Sequence, residues 1–157
     1  MRVLGVNATS STLWLACADA NGLRDIGDDY QLQLPKALET GQALARARDD
    51  FARVIRRYEI GRVRLLSAET TYKAGYGQFV PRITMETVVA FAAAGEDVDF
   101  LRLARPTVRS RLGLPKPGSL ESHSGCLGEV QSPHWKGKRD LAAMVAAAGL
   151  KEGHGDE

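Results

Sequence analysis

The segment NATSST, residues 7–12, places Asn7, Thr9, Ser10, Ser11 and Thr12 in one tight turn near the start of the chain. Small polar side chains of this kind bond their own backbone and favour turns, and the same amide and hydroxyls could equally face a phosphate or a metal ion. A second stretch, SAETTYKAGYG at 67–77, carries a carboxylate, Glu69, and an ammonium, Lys73, ahead of Gly75 and Gly77. A lysine in a glycine-rich loop meets phosphate as a point charge, although an ordinary solvated lysine is the simpler reading. The third group is basic: Arg102, Arg105, Arg109 and Arg111, followed by Lys116, Lys136, Lys138 and Arg139. Such donors match a phosphate backbone if the fold gathers them at one edge; scattered, they form a solvated face. His123 and His134 lack metal-ligand spacing and read as solvent-facing loop residues.

The elements that must position these groups are legible from periodicity. Residues 2–6 (RVLGV) and 13–18 (LWLACA) are apolar on both faces, as strands buried beneath helices are. YQLQL at 30–34 alternates and stops at Pro35. From Thr40 to Tyr58, apolar residues recur at three- and four-residue steps among arginines and aspartates, an amphipathic helix. RVRLL at 62–66 is a fourth strand, Thr84–Ala94 a second helix stopped by Gly95, DVDFLRLA at 97–104 a fifth strand, and PTVRSRL at 106–112 a short helix opened by Pro106. Residues 113–134 read as a long loop, Lys136–Ala148 as a last helix, and KEGHGDE at 151–157 as a disordered polar tail.

With 157 residues, 44% of them hydrophobic, the chain suits one domain over residues 1–150. Twenty-one basic against nineteen acidic residues leave a net charge of +2, so any basic footprint is local. No apolar run reaches membrane-spanning length and no signal peptide is visible, which points to a cytoplasmic protein with no membrane partner. Cys17 sits in a strand and reads as core; two cysteines without CxxC spacing argue against zinc.

Consecutive strands with short turns pair antiparallel, whereas strands separated by a helix are parallel crossovers. The expected fold is therefore α/β, a mixed five-stranded sheet with helices on both faces in ribonuclease H-like order. It places the first strand between the second and the fourth, so the polar turn and the residues after RVRLL become neighbours. The string LLSAETTYKAGYG…ITMETV, with RVLGVN before it and DVDFLRLARPTVRSRL after it, resembles a family of small uncharacterised prokaryotic proteins whose fold is ribonuclease H-like and akin to RuvC resolvase. Glu69, Lys73, Met85 and Glu86 carry the resemblance most specifically, and it ends near Lys116.

RuvC-like nucleases hold two divalent ions, Mg²⁺ or Mn²⁺, between an acid on the first strand, an acid after the fourth and acids on the last helix, because hard cations need clustered oxygens to stabilise attacking and leaving groups. The resemblance places Glu69 and Asp140 in two of these positions, with Lys73 as a further catalytic candidate. It puts Asn7, a neutral amide, in the first. Asn7, Glu69 and Asp140 are the implied metal set, and Arg105, Arg109, Lys136 and Lys138 the implied nucleic-acid contacts. Three functions remain open at this level: a metal-dependent nuclease, an inactive relative that binds nucleic acid, a second copy of itself or another protein, and a nucleotide-binding domain using the polar turn.

Overall fold

The computed structural model describes residues 1–68, 75–128 and 133–152; Glu69 and Lys73 lie outside the described residues. Strand β1 (Val3–Ala8) pairs antiparallel with β2 (Thr12–Asp19), placing Asn7 opposite Trp14. On its other edge β1 pairs parallel with β5 (Arg62–Leu66), Val6 opposite Leu65, and β5 pairs parallel with β6 (Asp99–Leu103). The first strand thus lies between the second and the RVRLL strand, as the crossover rule requires.

The sheet has six strands rather than five, because the position outside β2 is shared. After Asp19 the chain turns at Gly22, whose φ of 108° favours glycine, and β3 (Gly22–Arg24) covers Cys17–Asp19. A 3₁₀ turn at Gly27–Tyr30 then resets the register, and β4 (Gln31–Gln33) covers Thr12–Trp14. Three residues are too few for alternation to reveal β3.

Alternation along the strands sorts the two layers. Leu4, Val6, Ala8, Leu13, Leu15 and Cys17 pack against α1 (Thr40–Arg57), through Phe51, Val54 and Ile55, and against α2 (Tyr76–Gly95), through Met85, Val89, Ala92 and Ala93. Glu39 caps α1 by accepting a 2.7 Å hydrogen bond from Gln42 N. On the opposite face Val3, Ala16 and Ala18 meet the small residues of α4 (Asp140–Leu150). Here the helix rests on bare backbone: a Cβ added at Gly5 would sit 1.9 Å from the Ala142 carbonyl oxygen.

Three boundaries differ from expectation. Helix α2 begins at Tyr76 rather than Thr84 and runs through Pro81. Proline there forfeits the bond to the Gly77 carbonyl, and both residues line an open cleft. The last helix begins at Asp140 rather than Lys136, because the wide turn Trp135–Arg139 contains non-helical Lys136 and Gly137. Within 113–134, a 3₁₀ segment at Leu120–Leu127 buries Leu120 against Leu103, Leu141, Met144 and Val108 of α3 (Arg105–Arg111). Glu152, assigned from the sequence to a disordered tail, is held by Arg64, whose side chain is 1% exposed.

Candidate functional site

The C-terminal ends of β1 and β5 lie side by side, and the turn before α4 meets the end of β1. Asn7, 5% exposed, donates from Nδ2 to the carbonyl oxygens of Lys138 at 3.1 Å and Gly137 at 3.5 Å. Asp140 is fully buried. Its Oδ1 accepts from Leu141 N at 2.7 Å, and the N–H groups of Gly137 and Lys138 also face the carboxyl. Residues 137 and 138 therefore turn carbonyls towards Asn7 and N–H groups towards Asp140. Asp140 Oδ2 has no hydrogen-bond partner among the described residues. Burial pushes the Asp140 carboxyl above the usual carboxylate range, against the three backbone donors and reinforced by the negative charge of Glu121.

Asn7, Asp140 and Lys138 lie together at this end of the sheet. Arg105 is one step removed: it pairs at 3.1 Å with Glu121, the carboxylate that acts on Asp140. Burial works against the charge on Glu121, but its own N–H and Arg105 outweigh it and hold the carboxyl below its ordinary value. Arg109 turns away, donating to the carbonyls of Pro115 and Gly118. Lys136 and Lys138 are exposed.

Among the described residues no three acidic, histidine or cysteine side chains converge to hold a metal ion. Among the described residues the donors present do not fit Mg²⁺ or Mn²⁺, which take several oxygens including water. Asn7 is neutral with its N–H₂ committed to carbonyls, and the one described carboxylate beside it is sealed from solvent.

The polar turn that opens the chain is largely accounted for by backbone chemistry. Thr9 Oγ1 donates to the Thr12 carbonyl and accepts from Thr12 N, both at 3.1 Å. Thr9 and Ser10 also line a cleft of about 560 Å³ with Gly77, Pro81 and Arg82.

Two further carboxylates belong to this end of the molecule and were not picked out as site residues. Glu121 lies in the segment past Lys116, where the resemblance ends. Glu86, 1% exposed on α2, accepts a hydrogen bond from the Ala68 N–H and sits 4.0 Å from Arg102, fastening the chain immediately before Glu69. Burial raises its pKa, opposed by Arg82 and Arg102. An acid within an otherwise apolar helix was the available signal.

This geometry defines the fold: an α/β mixed sheet with helices on both faces, in ribonuclease H-like order. Its fold is similar to that of Thermus thermophilus RuvC, with a TM-score of 0.77 at 14% identity over 96% of this chain and 94% of that one. T. thermophilus RuvC in complex with a Holliday junction substrate gives 0.75 at 13% identity, over 96% and 93%. The yeast mitochondrial Holliday junction resolvase gives 0.54 at 12% identity, over 95% and 77%. A scan against protein-family models finds no match, and a search of curated proteins finds none either. Among the described residues no helix is long and apolar enough to cross a membrane.

Proposed function

We propose that this chain is a RuvC-like protein that binds branched or single-stranded nucleic acid where β1, β5 and the start of α4 converge, with weak affinity for divalent metal. The observation that carries this reading is the Asn7 to Lys138 hydrogen bond. In the position where RuvC-like nucleases hold an acid, an amide acts as a donor to backbone and closes the site. Exposed Lys136 and Lys138 supply phosphate contacts; Arg105 and Arg109 join them by exchanging Glu121 and loop carbonyls for phosphate. Ala68, which immediately precedes Glu69 in the chain, is anchored at this end of the sheet by Glu86.

Fluorescence anisotropy with four-way junction, single-stranded and duplex DNA at several salt concentrations tests it. Binding through three to five phosphates of a single strand gives a log K against log salt slope of about −2 to −3.5, from roughly −0.7 per contact. Calorimetric titration with Mn²⁺ gives millimolar or weaker affinity. Absence of binding to all three DNAs at low salt rejects the nucleic-acid reading, and tight Mn²⁺ binding rejects the weak-metal one.

A protein-partner role is favoured by a separate observation on α2. Tyr76, Phe79, Val80, Ile83 and Phe91 are exposed beside a groove of about 880 Å³ between α1 and α2. The hydroxyls of Thr84 and Thr87 on this face donate to the carbonyls of Val80 and Ile83, so the face can be covered without stranding a donor. A second copy of the chain fits such a surface, and sedimentation of the natural protein and Phe91→Asp over a range of concentrations tests it: the natural chain associates and the variant does not.

A further inference from the structure

Beside Asn7 the structure builds an aromatic tier that the nucleic-acid reading has not used. Trp14, the cross-strand partner of Asn7, is buried in β2. The ring of His134 lies on it at 5.5 Å between centroids and 32° between planes, and reaches Tyr30 at 6.5 Å and 33°. Cations complete the tier: Lys138 Nζ stands 5.5 Å from the Trp14 ring, and the Arg139 guanidinium 4.0 Å from that of Tyr30. His134 itself is exposed, in a left-handed backbone conformation with φ of 58°. That conformation is uncommon outside glycine and is tolerated best by Asn, Asp and His.

A histidine anchored only to stiffen the turn before α4 has no need to stand in solvent. Here the imidazole rests against two aromatic rings while His134 stays exposed, with exposed Lys136 two residues away and Lys138 four. That combination, an exposed π-system flanked by exposed cations, is what an unstacked nucleobase and its phosphates require. With aromatic residues making up only 6% of the chain, two of them, Trp14 and Tyr30, back this one histidine.

We propose that His134 is a stacking platform for one unpaired nucleobase, backed by Trp14 and Tyr30, with Lys136 and Lys138 holding the adjoining phosphates. The proposal rests on the nucleic-acid reading above and adds a base contact to it. Single strands, and junctions with an unstacked base, are therefore preferred over continuous duplex.

The test compares an oligothymidine with an abasic oligomer of the same length and charge, using the natural protein, His134→Ala and His134→Phe at one salt concentration. Stacking makes the natural protein bind the oligothymidine about fivefold or more tightly than the abasic strand. His134→Ala brings the two affinities together by weakening only the oligothymidine, and His134→Phe keeps the preference. Thermal unfolding of each variant shows that the tier still folds. A preference that survives His134→Ala, or is lost in a folded His134→Phe, overturns the platform while leaving phosphate binding intact. Failure of the natural protein to bind either strand overturns the platform and the nucleic-acid reading together.

Discussion

Asn7 Nδ2 and the carbonyl oxygen of Lys138 are 3.1 Å apart, joining the second-last residue of β1 to the turn that launches α4. The direction of this bond decides what position 7 tolerates. Asn7→Asp replaces a donor with a charge facing two carbonyl oxygens, and we expect it to lower stability by roughly 1–3 kcal/mol at neutral pH in urea unfolding. A protonated carboxyl can donate again, so acidification restores most of the loss. A variant as stable as the natural protein at pH 7 removes the clamp.

Asp140 predicts a pH dependence of definite sign. Its folded pKa is raised, chiefly by burial, so the native state binds the proton more tightly than the unfolded chain does. The stability this proton contributes is full below the unfolded carboxylate value of about 3.9 and is lost as pH rises through the folded pKa. Relative to Asp140→Asn, which cannot titrate, the natural protein therefore gains stability on acidification across that window. Parallel urea midpoints for the two proteins that do not converge or cross in this direction argue that the carboxyl is solvated.

At the opposite end of the sheet, Arg64 donates to Asp99 Oδ2 at 2.6 Å and to Glu152 Oε1 at 2.7 Å, and Arg111 reaches Glu152 at 2.7 Å. Burial opposes the charge on Glu152, but the two arginines hold its carboxyl below the ordinary range. Glu152→Gln leaves a buried guanidinium short of one counter-charge and is expected to cost about 3 kcal/mol at neutral pH. Because the folded pKa is depressed, this contribution is present above the unfolded value of about 4.3 and disappears as pH falls through the folded pKa. Truncation before residue 152 should reproduce the loss, whereas truncation after it should not.

Gly5→Ala tests the backbone seat of α4. Its Cβ would meet main chain, the Ala142 carbonyl at 1.9 Å and Ala146 N at 2.7 Å, and main chain cannot rotate aside. Overpacking commonly costs about 1–3 kcal/mol, and we expect this variant at or beyond the upper figure, with the Trp14 environment perturbed in near-ultraviolet circular dichroism. An unperturbed spectrum would place α4 further from the sheet.

Much of this arrangement was legible beforehand because it is written in periodicities. The apolar runs of β1, β2 and β5, the stripe of α1 and the crossover rule suffice to place Asn7 beside the end of β5. What escaped depends on groups distant in sequence. Nothing local in WKGKRD shows that Gly137 takes a φ of 70° and delays the helix to Asp140. Nor does YQLQL show that Tyr30 will meet His134 and Arg139. Glu121 was missed because 3₁₀ segments have no apolar signature, and Glu152 because a polar tail gives no sign that a buried arginine awaits it.

The contact of Gly5 with α4 has a bearing on how likeness between such chains is to be weighed. Where backbone lies on backbone, the spacing between position 7 and position 140 is set without reference to the side chains that occupy them. Aspartate and asparagine have nearly the same shape, so a lineage can trade one for the other while every strand and helix stays in place. Superposition is then blind to the exchange of a single oxygen for nitrogen, although that atom reverses the direction of a hydrogen bond and removes a charge. Two chains can overlay along almost their whole length and still differ in whether the site attracts a cation or fastens a loop.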